Sequence, residues 1–172
     1  MNKKELIEML EERKNDLKRG MNDLSVDFAS DYDLQTSSYF CDLFCEYADS
    51  QVDIYNSDLF EWCKNNLEYV EEAVAEFGID EKNFDLMRLV QSGQFLYNER
   101  QLFEDEEKIV ELMVVNYLLN NEEEIEKEID ENELDEMFAE ITSQFDSNDR
   151  CEDVVDVINK YIKEKEDEDD DE

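Results

Sequence analysis

A chain of 172 residues without a single histidine lacks the commonest general base, the Ser-His and Cys-His nucleophile pairs, and the Glu-x-x-His di-metal motif. Carboxylate pairs suited to acid–base work abound, but with 52 Asp and Glu such pairs arise by chance. Cys41 and Cys45 stand four apart and could join Cys63 and Cys151 in a tetrathiolate zinc site. The repeated C-x₂₋₄-C knuckles of zinc modules are missing, however, and buried thiols acting as small hydrophobes are the better account. Asp31, Asp33 and Asp42 fall at the first, third and twelfth places of a calcium loop, yet Thr36 stands where that loop needs Gly, and its last ligand should be Glu. Neither G-x-x-x-x-G-K-[ST] nor G-x-G-x-x-G occurs, so no phosphate cradle is encoded. The expectation is a protein that is not an enzyme and carries no catalytic residue, metal or cofactor.

What remains is charge. Against 52 acidic side chains stand 16 basic ones, a net charge of −36. Residues 1–19 are nearly balanced, with 6 basic and 5 acidic side chains, whereas residues 20–159 carry 7 basic and 39 acidic ones. The acidity therefore belongs to the body, not only to the C-terminal run. Self-repulsion on this scale opposes compaction. Solubility needs a net charge of only about 2 to 8 in magnitude for a small domain. Adaptation to high salt is a second account, but the remaining residues are rich in Lys, Ile, Asn, Phe and Cys, as in an ordinary cytosol.

The densest stretch runs from Glu122 to Glu140: Glu122, Glu123, Glu124, Glu126, Glu128, Asp130, Glu131, Glu133, Asp135, Glu136 and Glu140, opposed only by Lys127. Helical neighbours three or four apart lie roughly 5–6 Å from one another, of the order of the spacing between backbone phosphates. A stripe such as Glu124, Glu128, Glu131 and Asp135 would then imitate a charged strand. A solvated helix face is the ordinary reading of such a run, and density decides between them. Mass scaling gives a surface of about 9,000 Å², hence one net charge per roughly 250 Å², against one per about 100 Å² for duplex DNA. Spread evenly, the charge is too dilute to imitate DNA; gathered on one side, it matches.

These side chains need helices to position them. The chain has no Pro and only 3 Gly, too few turn formers for a sheet protein. With 41% hydrophobic residues it has enough apolar material to fold. The pattern predicts an all-α, irregular bundle of about six to eight helices: a single domain over residues 1–162, followed by a short disordered acidic tail over residues 163–172. Leu6, Leu10, Leu17, Met21 and Leu24 mark the first helix. A polar loop with Asp27, Asp31 and Asp33 precedes a helix bearing Tyr39, Phe40, Leu43, Phe44 and Tyr47. Ser57 is a candidate N-cap for the next, which Gly78 ends. A further segment starts near Asn83, with Gly93 as a bend or interruption.

The run from Ile109 to Leu119 is apolar nearly all round and reads as the core helix. Val114, Leu118, Ile125 and Ile129 share a helical face, and Leu134, Met137, Phe138, Ile141 and Phe145 lie opposite it. That phase jump predicts a break near Asp130 to Glu133, with Asn132 as N-cap. A last helix carries Cys151, Val154, Val155, Ile158, Tyr161 and Ile162. No stretch approaches the roughly 18 apolar residues of a membrane span, and the charged N-terminus is unlike a signal peptide. The expected location is the cytoplasm.

The aromatic-rich segments Tyr39-Phe40 and Leu59-Phe60-Glu61-Trp62, the acidic helices and the acidic run from Glu164 to Glu172 resemble those of small acidic inhibitors made by phages and mobile elements. That class includes the DNA-mimicking anti-restriction and anti-CRISPR proteins. The likeness is one of composition and architecture over most of the chain. It implies a stoichiometric inhibitor that occupies the basic DNA-binding channel of a bacterial host nuclease, a CRISPR effector first and a restriction enzyme next. Under this resemblance the partner is a basic DNA-binding protein, the acids of residues 122–140 are the contact site, nucleic acid and membrane are not bound directly, and a homodimer is compatible. The rival from another class is an acidic chaperone, scaffold or antitoxin-like partner of a basic protein.

Overall fold

The computed structural model describes residues 1–52 and 86–164, together with residues 65, 66, 68, 69, 71, 72 and 75. Among the described residues the secondary structure is helical without strands, in seven α-helices. The expected helix from Ser57 to Gly78, the start of the segment at Asn83 and the tail from residue 165 onward lie outside the described residues. Two compact units divide the chain, one comprising Met1–Cys41 and Asp105–Glu172, the other Asp42–Glu104.

In the first unit, α1 (Lys3–Arg19) opens with a capping box, in which Asn2 Oδ1 accepts from Glu5 N at 2.9 Å and Glu5 Oε2 from Asn2 N at 3.1 Å. Lys18 and Arg19 occupy its last turn, where the helix dipole favours cations. The first helix is shorter than its expected stripe, because the chain leaves the helix at the Gly20 C-cap: Met21 lies beyond α1, and Leu24 belongs with Asp27 and Asp31, expected in a loop, to a separate helix, α2 (Asp23–Asp31). Its short polar residues favour turns, but Phe28 and Ala29 are buried as α2 packs on the core helix. Its start is capped from outside: Asp105 Oδ2 accepts from Asn22 N at 3.1 Å, Asn22 Nδ2 at 3.2 Å and Ser25 Oγ at 2.8 Å.

The core helix, α5 (Glu106–Asn120), buries Ile109, Val110, Leu112, Met113, Val114, Val115, Tyr117 and Leu118, as its all-round apolar pattern predicts. α1 and α2 pack against it. α6 (Glu131–Gln144) also packs on α5 and is in turn covered by α7 (Cys151–Ile162). The expected break is present but wider, because α5 stops at Asn120. Asn121 Nδ2 donates to the Tyr117 carbonyl at 2.8 Å, and a 3₁₀ turn follows at Glu122–Glu124. The N-cap of α6 is Asp130 rather than Asn132, in a capping box with Glu133 at 2.8 and 3.3 Å. The connection from α6 to α7 docks on the residues that begin α3 (Phe40–Ser50). Phe40 N donates to Asp149 O at 3.1 Å, Cys151 N to Ser38 O at 3.1 Å, and Phe40 meets Phe145 edge-on at 5.0 Å.

The second unit holds the rest of α3 and all of α4 (Leu86–Glu104), which runs through Gly93 without interruption. A helical glycine costs about 1 kcal/mol, which the surrounding packing outweighs. Phe44 meets Phe103 edge-on at 5.1 Å, and Asn98 Nδ2 donates to the Ala48 carbonyl at 3.1 Å. Tyr69 and Tyr97 form another edge contact at 4.9 Å.

Candidate interaction surface

The acid-rich stretch of residues 122–140 is not one helical stripe. Glu122, Glu123 and Glu124 form the 3₁₀ turn, Glu126 and Glu128 stand on irregular backbone, Asp130 caps α6, and the others lie along α6. The i, i+4 relation expected between Glu124 and Glu128 is therefore lost, while Glu131 and Asp135 keep it within α6. The physical reason lies in two anchors: Ile125 and Ile129 are both buried, and the residues between them turn outward. The backbone is pinned as well, with Glu126 N donating to Ile162 O at 2.9 Å.

Four acids of the stretch serve the fold. Asp130 and Glu133 close the capping box, and Glu133 also faces Lys127 at 3.7 Å. Asp135 pairs with Arg13 of α1 at 3.0 Å. Glu140 accepts from Tyr161 Oη and pairs with Lys160 at 3.3 Å. The hydrogen bond from Tyr161 is the main cause that holds the Glu140 carboxyl below the usual range, and the same bond pushes the Tyr161 hydroxyl up to about 12. The remaining seven, Glu122, Glu123, Glu124, Glu126, Glu128, Glu131 and Glu136, make no ion pair among the described residues.

Glu131 and Asp135 belong to something the sequence did not reveal. With Glu12, Arg13 and Asp16 of α1 and Lys108 and Glu111 of α5 they line a concave slot of about 400 Å³. The Arg13 guanidinium lies 4.3 Å over the Phe138 ring while it pairs with Asp135. Glu111 is half-buried, and desolvation raises its carboxyl pKa; Arg13 and Lys108 oppose that rise, while Glu107 adds to it. A carboxylate inside the otherwise apolar run from Ile109 to Val115 was the available signal. Its partners, however, come from helices about a hundred residues away on one side and twenty on the other.

The cysteines do not converge on a described metal site. Cys41 and Cys45 are half-buried, Cys151 is buried with its thiol pushed up to about 12 by desolvation, and Cys63 lies outside the described residues. Among the described residues no three Cys, Asp or Glu side chains are grouped to hold a metal ion, and no helix is long and apolar enough to cross a membrane. Compared with protein-family models, curated proteins and solved structures, the chain matches none.

Proposed function

We propose that this chain is a stoichiometric inhibitor that acts as a DNA mimic, occupying the basic DNA-binding channel of a nuclease in the bacterial cytoplasm. A CRISPR effector is the first target under this reading and a restriction enzyme the next. The observation that carries it is the group of seven acids between Glu122 and Glu136 that the fold leaves without counter-ions among the described residues. Five of them, Glu122, Glu123, Glu124, Glu126 and Glu128, crowd into seven residues between the end of α5 and the start of α6. Charge held this densely attracts a basic surface and speeds encounter. The test is competition: the protein should displace duplex DNA from such a nuclease at low salt. Reversing Glu124, Glu128, Glu131 and Asp135 to Lys should abolish the displacement, and inhibition that survives the reversal would sink the site.

The acidic chaperone, scaffold or antitoxin-like reading draws on a second feature. A groove between α6 and α7 is walled by Ile141, Phe145, Val154 and Val157, with Asp149 and Asp153 beside them. Apolar surface next to carboxylates suits a partner helix with basic edges. Such a partner would bind whether or not DNA is present, which separates the two readings in one competition experiment.

A further inference from the structure

Helix α1 carries a row of lysines that the fold leaves unanswered. At 100° per residue, Lys3, Lys4, Lys14 and Lys18 fall within an arc of about 100° on one flank of the helix, accompanied there by Ile7 and one acid, Glu11. Lys3, Lys4 and Lys18 are exposed and Lys14 is half-buried. None of the four makes an ion pair among the described residues, whereas Arg13, Arg19, Arg100, Lys127, Arg150 and Lys160 each hold a carboxylate. In a chain of net charge −36, a row of cations without counter-ions stands out. Lys3 and Lys4 also occupy the first turn of α1, where the helix dipole disfavours cations and favours anions.

The chain itself brings an acidic segment to that row. Helix α7 delivers Ile162 to the acidic stretch, where its carbonyl accepts from Glu126 N at 2.9 Å. The first turns of α1 border the same stretch, since Lys3 and Leu6 share a small concavity with Ile125, Glu126 and Glu128. Beyond Ile162 the sequence reads Lys163, Glu164, Lys165, and then seven acids in succession from Glu166 to Glu172. Ten residues reach at most about 33–36 Å, and Lys3 and Lys18 stand about 22 Å apart along the helix axis. The order of charges suits the path. Lys163 and Lys165 come first, nearest the anchor at Glu126, and the unbroken acids follow where the chain can meet Lys3 and Lys4.

We propose that the acidic run of residues 166–172 docks along the lysine row of α1 as its intramolecular counter-ion. The run meets Lys3 and Lys4 at the start of the helix and extends toward Lys14 and Lys18. Each exposed pair is weak on its own. The short tether from Ile162 holds the run near the row at an effective concentration of roughly millimolar, so several weak pairs acting together suffice. Docked there, the run covers cations that would draw a polyanion such as nucleic acid, and it leaves Glu122–Glu128 as the open charge beside it. This docking holds whether or not the chain binds a nuclease.

Zero-length carbodiimide cross-linking of the full chain, read by peptide mass spectrometry, tests the docking. Amide links should join Lys3, Lys4, Lys14 or Lys18 to acids of residues 166–172 within the monomer, at a yield independent of protein concentration. That yield should fall about five-fold between about 20 mM and 0.5 M NaCl, because screening shortens the reach of exposed charges. The pair of Lys160 and Glu140, 3.3 Å apart, is the internal control. A control link without links from the run to α1 would overturn the proposal, as would links from the run spread evenly over Lys108, Lys127 and Lys160. Links found in dimers alone would give the row to a second copy instead. In a full chain carrying Asp167→Asn, Glu168→Gln, Asp169→Asn, Asp170→Asn and Asp171→Asn, amide NMR shifts outside the run should be confined to the lysine flank of α1. Unmoved α1 signals would refute the docking, and so would saturable binding of a duplex DNA oligonucleotide to the lysine row of the unaltered chain.

Discussion

Ser25 and Asp105, 80 residues apart in sequence, meet in a buried hydrogen bond of 2.8 Å from the serine hydroxyl to the aspartate carboxylate. The same oxygen takes two further bonds from Asn22, so the residue between α4 and α5 caps a helix to which it does not belong. Asp105→Ala should destabilise the protein by about 2–4 kcal/mol, because it removes a charged acceptor and strands a fully buried hydroxyl. Asp105→Asn, which keeps an acceptor, should cost about half as much. Urea unfolding of the three proteins measures the difference, and equal midpoints would refute the capping role.

The pair of Arg13 and Asp135 joins α1 to α6 at a site that is one-third exposed on the arginine side, with the Asp135 side chain more than half exposed. Its coupling should therefore be modest, about 0.5–1 kcal/mol in a double-mutant cycle of Arg13→Ala and Asp135→Asn. Arg13→Ala alone should cost more than Asp135→Asn, since it also removes the contact with Phe138.

The bond between Glu140 and Tyr161 is felt at both ends of the pH scale. Glu140 titrates below its ordinary value, chiefly through the bond from Tyr161, so its stabilisation is present above the usual carboxylate range and fades as pH falls through the lowered folded value. Tyr161 titrates at about 12, so its share is complete below the ordinary tyrosine pKa of about 10 and is lost as pH rises through 12. The stability gap between the wild-type chain and Tyr161→Phe should thus be flat in between and close at both ends. A gap that does not vary with pH would contradict the assignment.

Glu111 has the opposite sign to Glu140. With its carboxyl pKa raised by desolvation, the folded chain is relatively less stable above that value and loses the deficit as pH falls below the ordinary one. Glu111→Gln should therefore stabilise the protein at pH 7, by less than about 1 kcal/mol after allowance for partial solvent access, and the gain should vanish in acid.

Salt should act in two directions at once. With a net charge of −36, screening relieves self-repulsion, so the melting temperature should rise between about 50 and 200 mM NaCl, while affinity for a basic partner should fall over the same range. Thermal scans and binding isotherms in parallel read both slopes.

The helical character, the core helix and the break before α6 could be read from periodicity, because each depends on neighbours within a few turns. Helix α2 could not: Leu24 continues the apolar stripe of the first helix, the polar residues after it look like a loop, and the bonds that hold the start of α2 come from Asp105. The acidic stretch was legible as a sequence run but not as a shape. Asn121 bonds back to Tyr117, and the burial of Ile125 and Ile129 turns the chain out of the helix that would have aligned Glu124 with Glu128. The slot was hidden for a related reason, since Glu12, Glu111 and Glu131 come from three helices. Only the lone carboxylate among the apolar residues of α5 hinted at it.

The backbone bond from Glu126 to Ile162, with Ile125 and Ile129 buried on either side of it, has an entropic consequence. Residues 125–129 lack regular structure, yet they are fastened at three points within five residues. Their glutamates are held on backbone already fixed in place, so an incoming surface need not freeze a wandering loop before it gains from the charge. Association should then carry little of the ordering penalty that disordered acidic segments incur.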